Sequence, residues 1–362
     1  MTKQVAQRIV SDLPLPSIRV GVIGLGFMGA THIGAYRAAA DAGYPCELVA
    51  VCDRKPSRRA GELGDVGGNL ATAGRESRAF DPSRVRGYER AEDLIADPKI
   101  DLVSVCTRTD THVELCIRAL EAGKHVLVEK PVALTSQEVR RLAGVAQSTG
   151  RTCMPAMCLR YWPAWRWLRD RIVDRSFGAC RSATFTRLAP TPGWSTGFFA
   201  DGAQSGGALI DLHIHDADFV RYCFGNVASV SSAGRMGRGA LDHVTTLYRF
   251  AGAERPTHVV AEGGWDHHPG FTYRMRYIAV FDDATIEYDQ IRTPQLVVCR
   301  DGKAEPVDVS PLSGYDLQTR ALLDALSGKP HEPLPTLDEA VAVMELLEAE
   351  RISAAEGRTV TV

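Results

Sequence analysis

The chain changes rhythm partway along. From about residue 18, short apolar runs rich in β-branched residues alternate with stretches of helical period. IRVGVIG is followed by GATHIGAYRAAADAG, CELVAVCD by KPSRRAGEL, DLVSVCT by THVELCIRALEAG, and HVLVE by SQEVRRLAGVAQSTG. Strands that are apolar throughout and spaced by helices predict a parallel sheet covered on both faces, a doubly wound α/β domain over residues 18–150. GDVGGNLATAGRESRAFDPSRVR, residues 64–86, interrupts that rhythm with glycine, serine and arginine and predicts a surface loop. After RTCMPAM one amphipathic helix, PAWRWLRDRIV, leads into runs of period two: ACRSATFTRL, HVTTLYRF, THVVAEGG, TYRMRYIAVF and ATIEYD. These predict a large, mainly antiparallel sheet with one open face, in an α+β domain over residues 151–362 that two closing helices complete. Residues 1–17 form an N-terminal arm, and no repeat of solenoid or propeller period occurs.

A length of 362 residues suits two domains, each able to bury its own core. Lys and Arg number 42 against 44 Asp and Glu, with no basic face, so the footprint of a nucleic-acid binder is missing. No window approaches the roughly twenty apolar residues of a membrane span. The opening MTKQVAQRIVSDLPLPS carries an acid and two prolines and does not read as a secretory signal. The nine cysteines are odd in number and form no Cys-x-x-Cys pair; Cys52, Cys106 and Cys153 fall in apolar strands, which points to reduced thiols and a cytoplasmic location. Small molecules and further copies of this chain are the expected partners.

VGVIGLGFMGATHIG places Gly24-x-Gly26-x-x-Gly29 directly after a predicted strand and at the opening of a helix, with Phe27 and Met28 inside the motif. The first glycine permits a tight turn, the second lets backbone approach a pyrophosphate, and the third lets helix pack on strand. The helix N-terminus offers N–H groups to the phosphates. Asp53 ends the second strand at the separation where a carboxylate accepts hydrogen bonds from an adenosine ribose, which predicts NAD. Arg54, Lys55 and Arg58 follow it and would offset its charge, leaving NADP open. The competing reading is a glycine turn beside an unrelated surface aspartate.

In GKHVLVEKPVAL an apolar strand runs into Glu129, Lys130 and Pro131. Ligands bind beyond the carboxyl ends of strands in an open α/β sheet, so Glu129 and Lys130 are expected to border the nicotinamide half of a dinucleotide. A salt-bridged pair ending the strand is the alternative. Pro131 restricts the lysine to extended geometry. In GGALIDLHIHDADFVRYCFG, Asp211 and His215 lie four residues apart on one helix face, where a carboxylate can hold an imidazole in the tautomer of a general base. A helix with incidental polar residues would read the same way. His213 lies on another face, so Asp211, His213, His215 and Asp216 are not expected to gather round a metal. Asp242-His243 and Asp266-His267-His268 read as surface polar residues, with lining of the substrate cleft as the alternative.

DLVSVCTRTDTHVELCIRALEAGKHVLVEKPVALT, with the glycine loop and Asp53, resembles the Gfo/Idh/MocA family of sugar and polyol oxidoreductases, and CLRYWPAWRWLRD, GGALIDLHIHDADFVRYCFG and AERISAAEGRTVTV fit in order, so the likeness covers nearly the whole chain. It implies an NAD(P)-binding Rossmann domain, a second domain for substrate and self-association, and transfer of a hydride between a substrate CH–OH carbon and the nicotinamide. By the same resemblance Lys130, Asp211 and His215 form the catalytic triad, and Thr107, His112 and Glu129 lie on the nicotinamide side. Arg108 departs from the pattern, standing where the family usually has proline.

Among residues for the substrate, Arg160, Trp162, Trp194 and Phe198 are candidates, because aromatic faces and guanidinium forks suit carbohydrate rings and hydroxyls; the resemblance supports only Arg160 of these. A homodimer or homotetramer through the open sheet face is expected. Two other functions share these features: cleavage of a glycosidic bond through transient oxidation by a bound cofactor, and cofactor-binding regulation without catalysis.

Overall fold

Two sheets carry the chain. The computed structural model describes residues 17–64, 78–193, 197–252 and 255–362, so the expectations for the arm before Ser17, for most of the 64–86 loop and for Trp194 lie outside the described residues. The first sheet joins β1 (Ile18–Ile23), β2 (Cys46–Cys52), β3 (Arg86–Tyr88), β4 (Leu102–Val105), β5 (His125–Val128) and β6 (Cys153–Pro155). All its pairs are parallel, in the order β3-β2-β1-β4-β5-β6. Helices α1 (Phe27–Asp41), α2 (Pro56–Arg59), α3 (Ala91–Ile95), α4 (Thr109–Glu121) and α5 (Ser136–Thr149) make the connections. The winding reverses between β1 and β4, which opens a crevice beyond their carboxyl ends. Every residue of β4 is buried, as expected of a strand covered on both faces. The pattern does not reveal β3 and β6, each three residues long, too short to show a period.

The second sheet has nine strands: β7 (Cys180–Pro190), β8 (Val227–Gly237), β9 (Ala240–Phe250), β10 (His258–His267), β11 (Arg274–Phe281), β12 (Thr285–Asp289), β13 (Leu296–Arg300), β14 (Lys303–Pro306) and β15 (Val360–Thr361). Their order is β14-β13-β12-β11-β7-β10-β9-β8-β15, antiparallel except where β7 meets β10. One face is covered by α6 (Pro163–Asp174) and by α8 (Ile214–Phe224), which continues a π turn over Leu209–His213. Trp165 of α6 is fully buried there, with ring centroids 4.9 Å from Phe219, 5.2 Å from Tyr277 and 5.6 Å from Phe185. Truncating such an anchor to alanine costs about 3–5 kcal/mol, a loss that urea denaturation would read. Across the other face runs the row Ser231, Leu247, Val260, Thr184, Ile278 and Glu287, none of them fully buried.

The two closing helices, which the sequence pattern groups with the second sheet, also pack on the first half. Ala321, Leu322 and Leu323 of α9 (Gly314–Leu326) share a core with Ile33 and Tyr36 of α1. On α10 (Leu337–Glu356), Glu348 accepts hydrogen bonds from Ser136 N (2.8 Å) and Oγ (3.0 Å) at the start of α5. These helices tie the sheets together and fix the crevice between them.

Candidate functional site

The glycine loop leaves β1 at the crevice. Gly24 has φ +88°, and a Cβ there would lie 2.7 Å from the Cys106 carbonyl oxygen at the end of β4. At Gly29 a Cβ would lie 2.0 Å from the Gly24 carbonyl, so both positions are closed to any side chain. At Gly26 a Cβ would meet nothing within 4 Å. Space of that kind above the start of α1, where no side chain caps the helix, fits a dinucleotide pyrophosphate. Phe27 and Met28 form the first turn of that helix. Asp53, just past β2, accepts the Leu25 N–H at 2.9 Å and the Lys55 N–H at 2.8 Å, and Arg58 Nη1 stands 3.7 Å from its Oδ2. Asp53 therefore braces the glycine loop itself, a task the motif does not reveal. Arg54 beside it is exposed.

Two strands away, Lys130 reaches out of the first half. Its Nζ donates to the Asp211 carbonyl oxygen at 2.6 Å and to Asp211 Oδ1 at 3.1 Å. The strand end of the first sheet and the helix start of the second half thus meet. Asp211 lies in the π turn, where residues four apart no longer stack as in a regular helix. The carboxylate accordingly engages Lys130, and no hydrogen bond joins Asp211 to His215, so the predicted orienting contact is not present. His215 Nδ1 is buried without a hydrogen-bond partner. Burial, followed by the charges of Lys130 and Arg187, pushes the His215 imidazole well below its usual 6.5, so the ring is neutral at neutral pH.

The remaining polar residues of DLHIHDAD anchor this helix. His213 is fully buried, with Nε2 2.9 Å from Glu350 Oε2 on α10 and 3.0 Å from the Tyr248 hydroxyl. Tyr248 donates to the other Glu350 oxygen at 2.8 Å. Asp216 accepts from Arg187 Nε (2.7 Å) and Nη2 (3.1 Å), and Arg187 Nη1 donates to the Tyr273 hydroxyl at 2.8 Å. Asp218 accepts two bonds from Arg160, at 2.9 and 2.6 Å, and Arg160 Nη1 reaches Glu339 at 2.9 Å. Arg160 is buried in this triad, and its fork is spent on protein carboxylates; the expectation that it offers that fork to a substrate is corrected accordingly. Among the described residues no group of three or more His, Cys, Asp or Glu side chains is arranged to hold a metal.

His112 also differs from its expected role. Its Nδ1 lies 2.9 Å from the Pro131 carbonyl and its Nε2 3.0 Å from the Thr107 carbonyl. Both ring nitrogens therefore face backbone, and the residue braces the ends of β4 and β5 from below. Burial pushes its pKa below the ordinary value. The Thr107 hydroxyl accepts from Thr111 at 2.7 Å. Arg108 crosses the crevice: it bonds Gln204 of the short helix α7 (Gly202–Ser205), reaches Asp110 at 3.2 Å, and lies over the Phe198 ring at 4.9 Å. Trp162 is half-buried, edge-on to Tyr315 at 5.7 Å. Glu129 is buried and bonded to His32, a residue the sequence pattern does not single out. Asp242, expected at the surface, is buried and accepts from Trp265 Nε1 at 2.7 Å. His243 sits between Asp266 (2.9 Å) and Glu262 (3.1 Å). All nine cysteines are free thiols, eight of them buried, and no helix among the described residues is long and apolar enough to cross a membrane.

Comparison with known proteins agrees with this layout. Residues 18–157 match the model of an oxidoreductase family with an NAD-binding Rossmann fold, and residues 165–287 match the Gfo/Idh/MocA C-terminal domain. An uncharacterized oxidoreductase of Rhizobium meliloti is 29% identical over 76% of this chain and 84% of its own length. The inositol 2-dehydrogenase of Rhizobium meliloti strain 1021 is 31% identical over 58% of this chain and 56% of its own. The 1,5-anhydro-D-fructose reductase of Ensifer adhaerens is 31% identical over 52% and 59%. The matches to these last two thus span a little over half of their length. A levoglucosan dehydrogenase solved with NADH and levoglucosan superposes with a TM-score of 0.80 over 96% of this chain and 99% of that one, at 21% identity, which shows a common fold. The two family matches follow each other in order and together cover most of the chain, which belongs to the Gfo/Idh/MocA oxidoreductase family.

Proposed function

We propose that this chain oxidises a hydroxyl-bearing carbon of a sugar or polyol, or reduces the corresponding carbonyl, with Lys130 and His215 handling the proton. Bound NAD supplies the hydride acceptor at the nicotinamide C4. The glycine loop holds the pyrophosphate and Asp53 the adenosine ribose; the negative charge of Asp53 favours NAD over a 2′-phosphate, which it would repel. The observation that carries the reading is the meeting of Lys130 with Asp211 beside a neutral, unpartnered His215. An ammonium has three donors, and Asp211 takes two of them, leaving one for a substrate oxygen. Lys130 so held stabilises the developing alkoxide by charge, more strongly in a water-poor crevice. His215, kept neutral, takes the hydroxyl proton and returns it in the reverse direction. Asp211 positions Lys130 rather than the imidazole. For self-association we propose the open face of the nine-stranded sheet, whose central row mixes Leu247, Val260 and Ile278 with small polar residues.

The test is a panel of polyols and aldoses with NAD and with NADP, following reduced cofactor for the native chain and Lys130→Ala. Turnover of at least one compound, reduced about 10²–10³-fold in Lys130→Ala, is expected. Tight cofactor binding without turnover of any compound supports a regulator instead, and aglycone release without net NADH supports glycoside cleavage.

A further inference from the structure

The helix that opens with the glycine loop carries a buried histidine into the same strand ends that present Lys130. His32 of α1 is 1% exposed. Its Nε2 is 2.8 Å from Glu129 Oε1, and its Nδ1 is 3.4 Å from Cys106 Sγ. The second Glu129 oxygen accepts the Lys130 N–H at 3.1 Å. One imidazole on α1 therefore touches residues leaving both β4 and β5, and its carboxylate partner holds the backbone of Lys130. Burial opposes a charged ring, but the hydrogen-bonded Cys106 and Glu129 outweigh it and raise the His32 pKa to about 10. Stability alone is a weak reason for such a pair, because apolar replacements of buried ion pairs are often neutral or better. Its place offers another reason, since it lies between the turn that receives the cofactor phosphates and the residue that meets the substrate.

We propose that His32 is a positioning residue for Lys130: it fixes the Glu129 carboxylate, and through that carboxylate the strand end from which the ammonium reaches the substrate oxygen. The inference rests on the reading of Lys130 as that ammonium. It assigns Glu129 a task as well, as the link between imidazole and lysine backbone. Cys106, a buried thiol on the other ring nitrogen, sets the rotation of the imidazole. The glycine helix and the catalytic strand end are then coupled through a single side chain, and Lys130 takes its place relative to a cofactor seated on that helix.

Two measurements test it. The first is amide exchange at Lys130 in the chain without substrate: His32→Leu should accelerate it by roughly tenfold, the loss of one charge-assisted hydrogen bond, and leave the amides of β1 unchanged. The second is a kinetic cycle with Lys130→Ala. In the native background His32→Leu should lower kcat by about 10–100-fold, as expected when a reacting group is displaced, while the NADH Kd moves by less than about threefold. In the Lys130→Ala background the same change should cost less than about threefold, because the group it positions is gone. His32→Gln, whose amide can still donate to Glu129, should recover part of the kcat lost in His32→Leu. Equal losses in both backgrounds, or unchanged exchange at Lys130, overturn the proposal. If His32→Leu does not fold, Glu129→Gln takes its place in both measurements with the same expected outcomes. Should the native chain turn over no polyol, the exchange result alone decides, so failure of this inference and failure of the proposed activity are read separately.

Discussion

The two sheets treat charge in opposite ways. In the parallel sheet the strand interiors are largely apolar, with Ser104 of β4 a buried exception bonded to Tyr36, and polar groups gather where strands end: Asp53 after β2, Thr107 after β4, Glu129 and Lys130 after β5. In the antiparallel half, polar residues occupy alternate positions by construction, and three charged pairs lie buried beneath the sheet: Arg187 with Asp216, Arg160 with Asp218, and His213 with Glu350. The same kind of feature therefore carries different meaning in the two halves. At a parallel strand end a charge points to a ligand crevice. Under the open sheet, buried charges hold in place the helix that carries His215.

The comparison can be broken or sharpened by substitution. The largest effect is expected where the second half supplies chemistry: His215→Asn should lower kcat/KM by about 10²–10⁴-fold, the usual contribution of a general base, with NADH affinity by fluorescence unchanged. Lys130→Met should cost about 10²–10³-fold by the same assay, as for loss of one preorganised donor to a developing oxyanion. It should also move the pH profile. His215 acts as a base when deprotonated, and burial, Lys130 and Arg187 hold its pKa well below 6.5, so kcat/KM should stay level as pH falls through 6.5 and drop only beneath it. Removing the Lys130 charge removes one depressing cause, so the acid limb of the residual activity should rise toward 6.5.

Breaking an anchoring pair should act on stability first. Arg187→Met leaves Asp216 buried and unpaired and should cost about 3–5 kcal/mol in urea denaturation. Adding Asp216→Leu should restore much of that loss, whereas no second substitution of this kind should rescue Lys130→Met. The smallest effect belongs to Arg108, whose bridge to Gln204 and Phe198 is partly exposed. Arg108→Pro should change the substrate KM by only about two- to fivefold, since exposed pairs contribute little.

Legibility in the sequence follows the same division. The glycine loop, Asp53 and the charged strand end stand out because each interrupts an apolar run, and the doubly wound sheet follows from the alternation around them. In the second half the helix bearing Asp211 and His215 is visible, but its internal geometry is not. Regular periodicity places those two side chains together, and the π turn instead turns the Asp211 carboxylate to Lys130. Arg187 escapes notice because arginine is common in alternating strands; the cue is its register with Phe185 and Ala189, both inward-facing positions. His32 escapes because one histidine in a helix carries no pattern, although it shares the buried face of Ile33 and Tyr36. Arg160 misleads for a related reason, since a guanidinium suits a protein carboxylate as well as a sugar hydroxyl.

The central claim is that Lys130 and His215, from opposite halves of the chain, act on one oxygen. A crystal structure of the complex with NADH and a polyol that the panel shows to turn over would test it most directly. The account predicts a single substrate oxygen within about 2.6–3.2 Å of both Lys130 Nζ and a His215 ring nitrogen. A substrate whose reacting hydroxyl reaches only one of the two, or neither, would contradict it.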